Sequence, residues 1–173
     1  DSTYMLMLEA QRRGWEPSFC TPSELYALGG EGRALATSCS VSGEAPYFHG
    51  LSPADVSLGH FQLIWMRKDP PFDMDYVFST YILDLVPRTT LVVNRPSSIR
   101  SANEKMFALQ WSEHCPETLV TREIERAICW ASLQPDRVVI KPWDGNGGRG
   151  VLVSHHKDPN FRSMLEILTA GET

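Results

Sequence analysis

Residues 138–150 read V-V-I-K-P-W-D-G-N-G-G-R-G, in which a short apolar run leads through a lysine and a proline into a cluster of glycines. The next four residues, V-L-V-S, return to a strand pattern. This order predicts two strands, over residues 137–143 and 151–154, joined by a glycine loop. Glycine lets backbone N–H groups approach a ligand closely, so the loop can fold over a triphosphate with Lys141 near the phosphates. The residues leave a second interpretation open, a flexible surface hairpin with an exposed lysine.

The order of residues around this loop argues against three other nucleotide-binding motifs. Residues 145–150 match G-x-G-x-x-G, but a dinucleotide-binding loop must open a helix, and here a strand pattern follows. A P-loop ends in G-K-[ST], whereas this loop ends in R-G-V. In protein kinases the phosphate-binding lysine follows the glycine hairpin, whereas Lys141 precedes it.

Residues 61–94 show the periodicity of a strand–helix–strand unit. The run F-Q-L-I-W-M predicts a strand buried on both faces, as in parallel sheets. Two consecutive prolines end it, and Asp73 is expected to cap the helix that follows. Apolar residues of that helix recur at i, i+3, i+4, i+7, i+8 and i+11: Met74, Val77, Phe78, Tyr81, Ile82 and Leu85. Residues 91–94 supply the second strand, so the unit is βαβ.

The remaining elements lie on both sides of a boundary that composition indicates near residue 102. Before it we predict a helix over residues 2–13 with Gly14 as its cap, a strand over 16–20, and a turn at 29–32 that joins residues 25–28 to a strand over 33–41. A loop follows over 42–53. From residue 97 or 98 we predict a helical stretch to about residue 111, then a strand over 118–121 and helices over 124–131 and 161–169. The fold class is therefore α/β, with domains over residues 1–101 and 102–173.

Both ends of the sequence indicate a piece of a longer protein. The chain has no initiating methionine and opens directly on a helix, with Asp1 and Ser2 as candidate N-cap residues. A helix of this kind usually flanks a sheet, yet no strand precedes it. The last residues run from a helix into a loop.

Composition excludes several classes of function. The chain has 173 residues, with 16 Lys+Arg against 21 Asp+Glu and a net charge of −5, so we expect no nucleic-acid partner. No apolar run reaches the ~18–20 residues of a membrane span, so we expect no membrane partner either. Four scattered cysteines indicate the reduced thiols of a cytoplasmic protein. No Cys or His stands at metal-ligand spacing, so we predict no metal ligand in this chain.

Six segments together carry a resemblance to a known family. They are D-S-T-Y-M-L-M-L-E-A-Q-R-R-G at residues 1–14, M-R-K-D-P-P-F-D at 66–73, V-N-R-P-S-S-I-R at 93–100, N-E-K at 103–105, P-E-T-L-V-T-R at 116–122, and I-K-P-W-D-G-N-G-G at 140–148. On these segments the chain resembles the bacterial glutathione synthetases of the ATP-grasp superfamily. The segments follow the family's order and span nearly the whole chain, and residues 30–60 match least.

The resemblance implies an architecture and a missing remainder. An N-terminal parallel α/β domain, the pre-ATP-grasp domain, would occupy residues 1–101, and residues 102–173 would begin an ATP-grasp fold. The family has a further strand before Asp1. It also has a second half of the ATP-grasp fold after Thr173, which carries the adenine-binding hinge and the Mg²⁺ carboxylates. We therefore expect the 173-residue chain to be inactive alone, and the intact protein to be a homotetramer.

The resemblance also implies a reaction. ATP would phosphorylate the cysteinyl carboxylate of γ-glutamylcysteine, and the amine of glycine would displace phosphate, with Mg²⁺ as cofactor. Lys105 and Lys141 would contact the ATP phosphates. The loop residues Gly145, Asn146, Gly147 and Gly148 would close over them. Lys141 and Arg67 are the predicted catalytic residues.

Four residues of the first domain are candidates for binding the dipeptide. Arg67 and Asp69 follow a predicted strand, at the end of a sheet where ligands of α/β folds collect, and Arg67 suits a carboxylate. Alternatively, Arg67 and Asp69 pair with each other in a proline-rich turn. Asn94 ends the next strand and otherwise forms a turn. Ser2 begins a helix whose N-terminus faces substrate or is simply capped.

Two rival functions remain at this point. One is another ATP-grasp carboxylate–amine ligase, such as a glutamate-adding or D-alanine-joining enzyme, against which M-R-K-D-P-P-F-D argues because it lies in the substrate-selecting domain. The other is a non-catalytic nucleotide-binding module.

Overall fold

The computed structural model describes residues 2–169, which fall into two compact units, Asp1–Ala102 and Asn103–Thr173. Residue 1 and residues 170–173 lie outside the described residues, and the predicted capping role of Asp1 falls there. The division lies one residue from the boundary that composition indicates.

Over its described residues, 2–102, the first unit combines three helices with seven strands. The helices are α1 (Ser2–Arg12), α2 (Met74–Asp84) and α3 (Pro96–Ser101). The strands are β1 (Ser18–Phe19), β2 (Leu25–Leu28), β3 (Glu31–Val41), β4 (Phe48–Gly50), β5 (Ala54–Ser57), β6 (Leu63–Trp65) and β7 (Leu91–Val93). Short 3-10 turns lie at Pro22–Glu24 and Leu58–His60.

Helix α1 ends as its sequence predicts. Gly14 has a φ of +78°, its N–H donates to Gln11 O at 2.9 Å, and the N–H of Trp15 donates to Ala10 O at 3.0 Å. These two bonds form a Schellman motif, which satisfies carbonyls of the last helical turn. The side-chain amide of Gln11 also pairs with both backbone groups of Val41 in β3, at 2.9 and 2.6 Å. The helix is therefore fixed to the sheet.

Strand β3 is the centre of an antiparallel sheet and pairs with β1, β2, β4 and β5. The turn between β2 and β3 passes through Gly29 and Gly30, whose φ values of +60° and +82° favour glycine. The predicted loop over residues 42–53 is wrong in part, because β4 pairs with Cys39–Val41 there. All three β4 residues are exposed, so the backbone ladder forms this strand and hydrophobic alternation does not reveal it.

The predicted βαβ unit is confirmed. Strands β6 and β7 are parallel, with α2 between them in sequence, and Ile64 is paired with Val92. Asp73 caps α2 by accepting the Tyr76 N–H at 2.9 Å. The expectation that the first strand is buried on both faces is wrong, because Trp65 is 45% exposed. The core of the unit covers only the face that carries Ile64 and Val92.

The core of the first unit lies between α2 and the antiparallel sheet. Its buried members are Ala34, Ala36, Leu58 and Leu83. A Cβ at Gly32 would lie 2.8 Å from the carbonyl oxygen of Ile82, so glycine there allows α2 to approach β3 closely.

The second unit contains a 3-10 segment at Phe107–His114, helices α4 (Ile124–Ser132) and α5 (Phe161–Thr169), and strands β8 (Val138–Ile140) and β9 (Leu152–Ser154). The strands pair antiparallel, which confirms the hairpin around the glycine loop, although β8 is shorter than predicted. Its core is formed by Ala131, Val138, Phe161 and Leu165.

Two predicted elements near the start of this unit are wrong. The helical stretch predicted to residue 111 is interrupted, because Ala102 has a ψ of 74° and ends α3. Residues 118–121 form no strand, and no described strand pairs with them. The Thr118 hydroxyl donates instead to Pro116 O at 2.8 Å, and Val120 is half exposed.

The described residues contain no helix with the length and apolarity needed to span a bilayer. All four cysteines are free thiols.

We predict that Leu83→Ala destabilises the first unit far more than Leu85→Ala. Leu83 is 3% exposed in the core, whereas Leu85 on the same helix is 41% exposed. Truncating the buried leucine leaves a cavity, so the free energy of unfolding should fall by about 2–5 kcal/mol. The exposed leucine should change it by about 0.5 kcal/mol. Urea denaturation of the two variants measures the difference, and equal losses would contradict the core described above.

Candidate functional site

The β8–β9 hairpin presents an open apolar face beside Lys141. Val138 is buried, whereas Val139 and its cross-strand partner Val153 are each 55% exposed. Lys141 directly follows β8, two residues after Val139, and alternation along a strand gives both side chains the same direction. The Lys141 side chain is exposed, and its ammonium has no hydrogen-bond or ion-pair partner within residues 2–169. An exposed cation therefore lies at the end of a strand whose outer face carries two exposed valines.

The tip of the glycine loop is a tight turn. The Arg149 N–H donates to Asn146 O at 3.0 Å, and Gly147 and Gly148 between them have φ values of +57° and +79°. A Cβ at either glycine would meet no atom within 4 Å. Glycine is therefore required at the tip by backbone conformation and not by lack of space.

Lys105 reaches the base of this loop. Its ammonium donates to Gly145 O at 2.5 Å and to Trp143 O at 3.4 Å, and it forms an ion pair with Glu104 at 2.8 Å. The Asn103 side chain accepts the Lys105 N–H at 3.0 Å and so begins the turn that carries this lysine. The structure thus brings Lys105 together with the predicted loop residues, on carbonyl groups of the loop itself.

Arg67 lies beyond the carboxyl end of β6, close to the start of α1. Its guanidinium donates to Ser2 Oγ at 2.6 Å and to Thr3 Oγ1 at 3.4 Å. No ion pair joins Arg67 to Asp69 within the described part of the chain, so the turn-pairing alternative is not what the structure shows. Arg67 and Ser2, predicted separately, are therefore direct neighbours.

The loop that follows Arg67 is folded around Lys68. This ammonium donates to Asp69 O at 3.1 Å and Pro71 O at 3.3 Å, and it lies 4.8 Å from the centre of the Tyr76 ring. Burial and the nearby Asp69 carboxylate raise the pKa of the Tyr76 phenol, and the Arg67 guanidinium acts in the opposite direction. Arg67 and Asp69 thus both lie close enough to the Tyr76 phenol to shift its pKa.

Asn94 occupies the matching position after β7. The Met66 N–H donates to Val93 O at 2.6 Å, so the chain before Arg67 and the chain before Asn94 run side by side. Asn94 is exposed. The carboxyl ends of the two parallel strands therefore present Arg67 and Asn94 at one edge of the sheet.

Sequence reasoning missed three residues that shape these clusters. The Asn103 side chain fixes the turn before Lys105. The sequence carries a signal for this turn, because asparagine side chains hydrogen-bond the backbone two residues further on. Thr3 adds a second hydroxyl to Arg67. Glu104 is the ion-pair partner of Lys105, although its side chain is 69% exposed. Within residues 2–169, no group of three potential ligands could hold a metal ion.

Comparison with known proteins identifies relatives of both units. The family model of the prokaryotic glutathione synthetase N-terminal domain matches residues 1–100, and that of the ATP-grasp domain of these enzymes matches residues 104–173. The glutathione synthetase of Escherichia coli O6:H1 is 39% identical over 175 residues, which cover 100% of this chain and 55% of that protein. The enzymes of Yersinia pestis and Salmonella typhi are 38% and 36% identical over 171 residues, which cover 98% of this chain. The chain thus spans about half the length of the curated relatives it matches.

Proposed function

The chain belongs to the prokaryotic glutathione synthetase family, and from this premise we propose that its residues serve an ATP-dependent ligase that joins γ-glutamylcysteine to glycine. The products are glutathione, ADP and phosphate. By full-length enzyme we mean a protein that contains these residues and has the length of the curated relatives. The proposal is supported above all by the glycine loop, with Lys105 at its base and Lys141 beside it.

The proposed reaction has two steps with balanced bonds. A carboxylate oxygen of the cysteinyl residue attacks the γ-phosphorus of ATP, and the bond between this phosphorus and the bridging oxygen breaks to release ADP. The glycine amine then attacks the resulting acyl phosphate. The bond from the carbonyl carbon to the phosphate oxygen breaks, phosphate leaves, and the amine loses a proton.

The first step brings an anionic nucleophile to a polyanion, so it needs positive charge at the phosphates. Lys141 suits this role because its ammonium is accessible. Lys105 suits it because its ammonium rests on carbonyl oxygens, which phosphate oxygens can replace. The loop tip has positive φ at two glycines, and backbone in such turns can present N–H groups to an anion. Closure of Gly145, Asn146, Gly147 and Gly148 over the phosphates keeps water from the acyl phosphate.

Mg²⁺ is part of the proposed reaction because ATP and its metal ion act together in phosphoryl transfer. The described residues offer no three-ligand cluster for it, so no step is assigned to a metal ligand of this chain.

We propose that the Arg67 cluster binds γ-glutamylcysteine. A guanidinium can donate two hydrogen bonds to one carboxylate. The hydroxyls of Ser2 and Thr3 hold the Arg67 guanidinium beyond the end of β6. Asp69 suits the dipeptide's ammonium, and Asn94 suits its amide groups. The four free thiols support a cytoplasmic location. The homotetramer stays a prediction.

The reaction class is tested with γ-glutamylcysteine that carries ¹⁸O in its cysteinyl carboxylate. With the full-length enzyme, ATP and glycine, one labelled oxygen should appear in the released phosphate, because the acyl phosphate transfers it there. Mass spectrometry of the phosphate measures this. Label in AMP would indicate adenylation, and unlabelled phosphate would exclude the acyl phosphate.

Lys141→Met in the full-length enzyme should weaken ATP binding by about 10- to 150-fold, because it removes a hydrogen bond between charged groups. It should also lower kcat, because charge grows on the phosphates in the transition state. Methionine keeps the bulk of the side chain, so the melting temperature should not change. Calorimetry and steady-state kinetics measure these quantities.

Lys157→Met is the matched control, since Lys157 is an exposed lysine beyond β9 in the same unit. It should leave ATP affinity and kcat unchanged. If Lys141→Met also matches the parent in both quantities, the hairpin does not bind the phosphates.

Arg67→Ala should raise the KM for γ-glutamylcysteine by about 30- to 150-fold and leave that for ATP nearly unchanged. The loss reflects one charge-assisted contact with a substrate carboxylate. Arg88→Ala removes another exposed arginine of the same unit and should change neither constant. Equal effects of Arg67→Ala on both substrates, with a lower melting temperature, would show that Arg67 only stabilises the fold.

A further inference from the structure

The glycines of the loop between β8 and β9 are required for two different reasons. Gly147 and Gly148 at the tip have positive φ and open space around them. Gly145 has no such φ, but a Cβ there would lie 2.5 Å from Cγ of Pro142 and 3.0 Å from Arg149 O. Real Cβ contacts under 3.0 Å essentially never occur, so the requirement at Gly145 is steric.

The same proline closes the other side of the loop. Gly150 has both reasons: its φ is +70°, and a Cβ there would lie 2.9 Å from Cγ and 3.2 Å from Cδ of Pro142, and 3.4 Å from Leu168 of α5. The ring of Pro142 therefore lies close to both Gly145 and Gly150, on the two sides of the loop. We call Pro142, Gly145 and Gly150 the neck of the loop.

Pro142 also restricts the residue before it. The ring of a proline disfavours helical backbone at the preceding position and favours an extended one. That preceding residue is Lys141, which directly follows Ile140, the last paired residue of β8. The Pro142 ring thus restricts the backbone at Lys141 and also limits the space between the two sides of the loop.

We propose that Pro142 is the positioning residue of the ATP site: its ring packs between Gly145 and Gly150, fixes the neck, and holds Lys141 extended. The tip, residues 146–149, then moves as one turn over the triphosphate, with its pivot at the neck. This inference rests on the proposed function for its ligand, whereas the steric coupling of Pro142 and Gly145 does not depend on it.

A double-mutant cycle in the full-length enzyme tests the proposal with ATP as the probe. Gly145→Ala should weaken ATP binding about tenfold or more, because the added methyl group meets the ring. Adding Pro142→Ala should restore affinity to within about threefold of Pro142→Ala alone, since residues in contact are energetically coupled. Gly148→Ala is the matched control: its defect comes from φ, so Pro142→Ala should not relieve it.

Hydrogen exchange on the 173-residue chain tests the coupling without nucleotide. Gly145→Ala should speed amide exchange at residues 144–150 several-fold over the parent. The double variant should exchange no faster than Pro142→Ala alone, and α4 and α5 should exchange as in the parent. If Gly145→Ala is silent in both experiments, or if Pro142→Ala relieves Gly145→Ala and Gly148→Ala alike, the inference is overturned. If the parent enzyme binds no ATP, the proposed function fails, and the exchange data still decide whether the neck exists.

Discussion

The glycine loop depends on one steric constraint, which is that the Pro142 ring leaves no room for a side chain at Gly145. The Lys105 ammonium is bound next to this contact, at the carbonyl oxygens of Trp143 and Gly145. Among residues 2–169 this ammonium is held by carbonyls and one exposed carboxylate, so it remains available to a stronger anion. The neck and the charge of Lys105 therefore meet at the same short stretch of loop backbone.

In the first unit, packing and one hydrogen-bonded helix hold the charged side chain of Arg67 in place. Its core fixes α2 against β3, and the parallel pair β6–β7 packs on the same core through Ile64 and Val92. The Gln11 amide fixes α1 to β3, which keeps Ser2 within 2.6 Å of the Arg67 guanidinium. A buried core and one helix–strand contact thus hold an exposed arginine in a defined orientation.

Local chemistry made much of the fold predictable. Gly14, Asp73 and the apolar period of α2 each act within a few residues, so the sequence carries their signals directly. Strand β4 was not predictable, because its exposed residues have no alternation and only the β3 ladder forms it. Lys105 and Gly145 are 40 residues apart, so periodicity could not reveal their bond. The family resemblance grouped both residues at the ATP phosphates. The packing of the Pro142 ring between Gly145 and Gly150 is seen only in the three-dimensional structure.

The central claim is that the loop closes over the phosphates of a nucleotide, and trypsin tests it most directly. Arg149 is exposed next to the neck, so the bond after it is a cleavage site in the open loop. In the full-length enzyme, ATP should slow cleavage after Arg149, whereas AMP, which has no β- or γ-phosphate, should not. Mass spectrometry of the fragments over time measures both rates. Equal rates with ATP, with AMP and without nucleotide would contradict a phosphate-dependent lid.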